Sequence, residues 1–131
     1  MMLRAYRDPV GKLTIGVGRN IEDLGITEAE AFFLLAGDIR RVEGELDANT
    51  PWWRALPEAA QRGLANMCFN LGWPRLSGFQ KMLAALEAGE FNRAAAEALH
   101  SRWARQVGAR ARRIADLYVS AGTQNDGGNN D

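Results

Sequence analysis

Residues 3–20 read Leu3-Arg4-Ala5-Tyr6-Arg7-Asp8-Pro9-Val10-Gly11-Lys12-Leu13-Thr14-Ile15-Gly16-Val17-Gly18-Arg19-Asn20, and this stretch decides how the rest of the chain divides. Leu3 and Tyr6, then Leu13, Ile15 and Val17, are spaced as two short strands around a turn. Asp8 suits the first position of a type I turn, Pro9 the second and Gly11 the fourth. Gly16 and Gly18 weaken the return strand unless a backbone must come close to something there. Two strands alone are marginal, so the hairpin needs helices to lean on.

From Thr27 the apolar period becomes helical. Thr27 and Glu30 form a capping box, and Phe32, Leu35, Ile39, Val42 and Leu46 follow on one stripe. Thr50-Pro51 resembles a cap with proline at the first helical position. A helix is expected over 58–71, with Leu64, Met67, Cys68 and Leu71 on one side and Gly72 and Pro74 stopping it. Ser77 is placed to cap a short helix through Met82, Leu83 and Leu86 that ends at Gly89. Further helices are expected over 91–102 and 109–120. Residues 121–131 are polar and read as a disordered tail. No internal repeat and no separating linker is present. The expected fold is α+β and mainly helical, one domain over 1–120: a hairpin lobe (1–26), a connecting helix (27–50) and a helical lobe (51–120). A cleft between the lobes is the natural place for a site.

Composition narrows the function classes. The chain has 131 residues and is 47% hydrophobic, enough for one cored domain. Lys+Arg and Asp+Glu balance at 16 each, which fits neither a basic nucleic-acid module nor an acidic disordered protein. The balance hides a dipole: residues 1–50 carry 6 basic and 9 acidic groups, whereas residues 91–119 carry six arginines against Glu97 and Asp116. Such a basic segment is either a solvated helix face or an attractor for a polyanion. A single cysteine, Cys68, excludes an internal disulfide and a cysteine-rich zinc site, and a single histidine, His100, argues against a histidine metal centre. No metal or cofactor is expected. No apolar run approaches the roughly 18 residues that span a bilayer, and Arg4, Arg7 and Asp8 interrupt any signal-peptide core. The expected localisation is cytoplasmic at synthesis.

Asp8 and Thr14 lie across the turn from one another. Asp8 either caps the turn through its side chain, or converges with Thr14 on a small volume where carboxylate and hydroxyl hold a water. Glycoside hydrolysis would also need an acid with a raised pKa. Glu22, Asp23, Glu28 and Glu30 are the nearest carboxyls; Glu22 and Asp23 sit in a polar loop, and Glu30 is better used in the cap. Cys68 reads as a core thiol and His100 as a helix-surface residue. Trp103 reads as core, while one of Trp52, Trp53 and Trp73 stacks on a sugar or seals a packing seam.

Three blocks then carry a resemblance. Leu3 to Asp8 with Gly11 to Asn20 is similar to the active-site hairpin of phage-type lysozymes, or endolysins, of the bacteriophage T4 lysozyme family. Asn66-Met67-Cys68-Phe69-Asn70-Leu71-Gly72 with Ser77-Gly78-Phe79 resembles that family's central helix and its exit. Ser101-Arg102-Trp103 with Gln106, Arg110 and Arg113 resembles its C-terminal signature. The resemblance extends to about residue 119. It implies a lysozyme-like fold and a muramidase that cuts the β-1,4 bond between N-acetylmuramic acid and N-acetylglucosamine in bacterial peptidoglycan. It implies Asp8 as the catalytic aspartate and Thr14 as the threonine beside the attacking water. It places Asn70, Gln106 and Arg110 at the substrate, Arg110 facing the family's acid glutamate, and Arg19 where some members have histidine. That glutamate, in a Glu-Gly pair on an N-terminal helix, would fall two residues before Met1. The chain is therefore expected to lack its acid and to be impaired. Three explanations compete: a true start upstream, with Met1-Met2 an internal pair of a longer muramidase; a non-catalytic peptidoglycan-binding or prophage-remnant protein; and recruitment of another acid such as Glu22. The expected partner is peptidoglycan rather than nucleic acid or a membrane interior, with self-association through the face that the missing helix would cover.

Overall fold

The computed structural model describes the backbone of residues 1–129 and the side chains of residues 1–123. The chain forms two compact units, Met1–Gly37 and Asp38–Asp131, with the boundary inside one long helix.

The first unit holds an antiparallel sheet in the order β1 (Met2–Arg7), β2 (Leu13–Gly16), β3 (Arg19–Asn20). Tyr6 pairs with Thr14 and Arg7 with Leu13, while Thr14 and Ile15 pair onward with Asn20 and Arg19. The expected two-stranded hairpin thus gains a third strand. Gly16 and Gly18, read as weak points within a strand, instead take positive φ values of 72° and 86° where the chain turns from β2 to β3. Glycine adopts that conformation at little steric cost. The Asn20 side chain accepts from the Asp23 backbone N–H and starts α1 (Ile21–Leu24). The capping box is present in both directions: Thr27 N donates to Glu30 Oε1 at 2.8 Å, and Glu30 N to Thr27 Oγ1 at 3.1 Å. It opens α2 (Glu28–Asn49).

The second unit contains the apolar core. Val42 and Leu46 carry the α2 stripe into it. A 3-10 turn, Pro51–Ala55, follows; the Thr50 hydroxyl makes no cap but donates back to Leu46 O at 3.0 Å. Helix α3 (Glu58–Leu71) buries Ala60, Leu64, Met67 and Cys68, and α8 (Ala109–Asn129) buries Ile114, Ala115 and Tyr118. Pro74 does not end a helix but sits in the first turn of α4 (Trp73–Leu76), and Ser77 does not start the next helix but closes this one: its backbone N–H donates to Trp73 O and its hydroxyl to Pro74 O, leaving Phe79 before α5 (Gln80–Glu87). Helix α6 (Phe91–Leu99) is lined by the buried Ala94, Ala95 and Ala98. It stops short of residue 102, because Ser101 caps a separate α7 (Arg102–Val107) by accepting from Ala104 N. Ala121 is buried within α8, so the helix passes the residue where the tail was expected to begin. Most of that tail, from residue 124, lies outside the described side chains.

Gly63 sets the closest approach in this core. A β-carbon there would lie 2.6 Å from Tyr118 Cε1, a ring wholly buried and tethered through its hydroxyl to Met67 Sδ. Gly44 in α2 has open space around the same position. Gly63→Ala is therefore expected to lower stability by about 1–3 kcal/mol through overpacking. Gly44→Ala is expected to raise it by about 0.5–1 kcal/mol through helix propensity. Urea unfolding midpoints would move in opposite directions for the two variants.

Candidate functional site

In the first unit, Asp8 closes its own turn. Its backbone carbonyl accepts from Gly11 N at 2.9 Å, and its Oδ1 accepts from Val10 N at 3.0 Å and Lys12 N at 2.8 Å. Its Oδ2 has no hydrogen-bond partner among the described residues. The turn-capping reading of Asp8 is thus satisfied by one oxygen, and the other is left for water. Thr14 is buried, and its hydroxyl donates to Lys12 O at 2.9 Å. Asp8 and Thr14 therefore meet on one residue: the N–H of Lys12 goes to the carboxylate and its C=O takes the hydroxyl. Rotating either side chain would cost a hydrogen bond of about 1 kcal/mol, so the pair is held in register.

Three of the four nearby carboxylates are already engaged. Glu22 faces Arg7 at 3.5 Å and Lys12 at 3.6 Å and accepts from Leu13 N. Asp23 accepts from Lys12 Nζ at 3.3 Å and Asn20 Nδ2 at 3.0 Å. Glu30 is held below the usual carboxylate range, first by its hydrogen bonds from Thr27 and then by the guanidinium of Arg19, which contacts it directly. That direction is opposite to what a general acid needs. Glu28 is exposed with no ion pair among the described residues.

In the second unit, a cavity of about 650 Å³ is lined by Arg75, Lys81, Arg102 and His100, with Phe79 and Trp103 forming apolar wall and Glu97 the single acid. The Trp103 ring stands edge-on to Phe79, with centroids 6.1 Å apart at 88°. Its indole N–H donates to Asn70 Oδ1 at 2.7 Å. An indole nitrogen only donates, so the Asn70 carboxamide is oriented with its oxygen toward Trp103, and its Nδ2 has no partner among the described residues. Asn70 and Trp103 thus form one unit, a link that spacing in the chain did not reveal. Gln106 and Arg110 are exposed on α7 and α8, without ion pairs or hydrogen bonds among the described residues.

The remaining candidates are structural. Trp103 is core, as expected, and Trp53 is buried with its indole N–H on Asp47 Oδ1 and Arg54 stacked 4.7 Å from its ring. Cys68 is buried, and desolvation pushes its thiol up to about 11, so it carries no nucleophilic thiolate at neutral pH. His100 is exposed at the C-terminus of α6. No helix among the described residues is long and apolar enough to cross a membrane, and none of their side chains cluster as a metal site.

A model of the phage lysozyme family matches residues 1–117 of the chain. The chain is also 24% identical to the pre-baseplate central spike protein Gp5 of Enterobacteria phage T4, over 97% of its own length. It spans 27% of that protein, about a quarter.

The orientation of Asn70 yields a test. Asn70→Asp keeps an acceptor for the indole and is expected to stay within about 1 kcal/mol of the parent. Asn70→Leu strands the indole N–H in a half-buried position and is expected to cost about 1–3 kcal/mol. Chemical denaturation followed by tryptophan fluorescence separates the two.

Proposed function

Because the chain belongs to the phage lysozyme family, we propose that it engages bacterial peptidoglycan as a lysozyme-type glycosidase module, and that this stretch binds the polymer more readily than it cuts it. The bond addressed is the β-1,4 link between N-acetylmuramic acid and N-acetylglucosamine. The observation that carries the reading is the Asp8 loop, in which one carboxylate oxygen is clamped by two backbone N–H groups and the other is free. In that posture Asp8 orients and deprotonates a water through Oδ2, with Thr14 beside it. This is the base half of an inverting hydrolysis, in which the acid stands roughly 6.5–9.5 Å from the base across the glycosidic bond.

The acid half is what limits the reaction. Glu22 and Asp23 are tied to cations and donors, and Glu30 is shifted in the wrong direction. With Glu22, Asp23 and Glu30 committed elsewhere, bond cleavage is slow in this reading while binding persists. Binding is supported by the cation-lined cavity beside Trp103 and by the free Nδ2 of Asn70, suited to an acetamido oxygen. Exposed Arg102, Arg105 and Arg112 add attraction to anionic groups of the wall, an effect that salt screens over about 10 Å at 0.1 M. The protein is made in the cytoplasm in this reading and acts on the wall once released. A second reading, a purely wall-binding protein, draws on the same engaged carboxylates.

Incubation with purified peptidoglycan, beside Asp8→Asn, tests the proposal. Expected are co-sedimentation that weakens with salt, and slow muropeptide release that disappears in Asp8→Asn. Co-sedimentation with no release at all would favour the binding-only reading. Release unaffected by Asp8→Asn would remove Asp8 from the mechanism, and a folded protein that neither pellets nor releases would overturn the proposal.

A further inference from the structure

The first unit has almost no core of its own. Across Met1–Gly37, Thr14 is the sole buried side chain. The Asp8 turn is therefore held by polar contacts rather than by packing. Inside the turn those contacts are short in sequence. Asp8 N donates to Lys12 O, Gly11 N to Asp8 O, and Arg7 Nη1 to Gly11 O, each at 2.9 Å. They fix the shape of the loop. They do not tie it to anything beyond the two strands that it joins.

The ties that reach further all end on α1 among the described residues. Glu22 Oε1 accepts from Leu13 N at 3.3 Å and lies 3.5 Å from Arg7 Nη1, while Oε2 lies 3.6 Å from Lys12 Nζ. Lys12 Nζ also donates to Asp23 Oδ1 at 3.3 Å. One carboxylate thus holds Arg7, the last residue of β1, together with Lys12 and Leu13, where β2 begins. Arg7 and Lys12 carry like charge and reach the same anion, so without it they repel. The brace is itself anchored. Asn20 pairs with Thr14 in the sheet and caps α1 by accepting from Asp23 N at 3.1 Å. Lys12 is where the brace meets the site, because its N–H donates to Asp8 Oδ1 and its C=O accepts from the Thr14 hydroxyl.

We propose that Glu22 is the positioning residue of the Asp8 turn. It holds Arg7 and Lys12 so that Asp8 stays clamped through one oxygen and presents the other to water. The inference rests on the reading of Asp8 as the base. Glu22 touches no substrate in this role and donates no proton; what it supplies is a negative charge. A single exposed ion pair contributes little, whereas one carboxylate that serves two cations and a backbone N–H forms a network.

Nuclear magnetic resonance of the full chain near neutral pH reads the turn without turnover. The reporters are the amides of Val10 and Lys12, both donating to Asp8 Oδ1. The amides of Thr27 and Glu30, in the capping box, are the reference. Glu22→Gln keeps an acceptor for Leu13 N and removes the charge. It is expected to speed hydrogen exchange at Val10 and Lys12 about fivefold, two exposed pairs being lost at once, and to leave the box amides as in the parent. In a Lys12→Met background the same change should have less than half that effect, because one of its two cations is gone. Unmoved Val10 and Lys12 amides, box amides that speed up equally, or a full effect in the Lys12→Met background would each overturn the proposal. An acid role for Glu22 would overturn it too, and would show as muropeptide release abolished by Glu22→Gln with the turn amides unmoved. Release indifferent to Asp8→Asn, with the turn amides loosened as expected, would overturn the base reading and with it the purpose assigned to Glu22, a failure distinct from the others.

Discussion

Residue 63 has no β-carbon, and the ring of Tyr118 occupies the place where one would be. That exclusion brings α3 against α8, and the second unit is arranged around it. Tyr118 is wholly buried, so its phenol must find a partner inside the protein, and Met67 Sδ provides one. Burial also pushes the phenol well above its usual range, which keeps it neutral. The same economy of volume recurs in α6, where Ala94, Ala95 and Ala98 let neighbouring backbones approach. With small residues on one side of each contact, the large ones (Leu64, Ile114, Trp103) fill the remaining space at the density that interiors require.

Local chemistry made part of this legible in the sequence. The Thr27–Glu30 box depends on two residues three apart, and both of its hydrogen bonds are present. The 58–71 helix has the expected bounds because Gly72 takes a positive φ there. What escaped depended on partners distant in the chain. β3 has two residues and no alternation of its own; its pairing with Thr14 and Ile15 creates it. Ser101 separates α6 from α7, yet it lies in a stretch that reads as one continuous helix. Pro74 looked like a terminator because proline also opens helices, and its neighbours decide which it does.

The candidate site divides in the same way. Asp8, Pro9 and Gly11 announce a turn, and the turn uses Asp8 as a cap. The cap engages one oxygen of that carboxylate, and the other has no hydrogen-bond partner among the described residues. Asn70 was placed at the substrate by resemblance; that its oxygen belongs to Trp103, 33 residues away, follows only from the fold. The acidic loop residues show why counting carboxyls is a poor guide to acids. Glu22 and Asp23 hold a strand and a loop by accepting hydrogen bonds and pairing with cations, and Glu30 holds a helix start through contacts that favour its charged form, whereas proton donation needs the neutral one.

Cys68 gives the molecule a built-in clock. It is the chain's one thiol, sealed in α3 and held protonated by its surroundings. A thiol reagent in solution can reach it only during moments when that helix parts from the core. Its rate of modification therefore counts those openings, reporting the free energy of local unfolding without any added probe. No other cysteine competes for the reagent, so the signal belongs to a single place in the second unit.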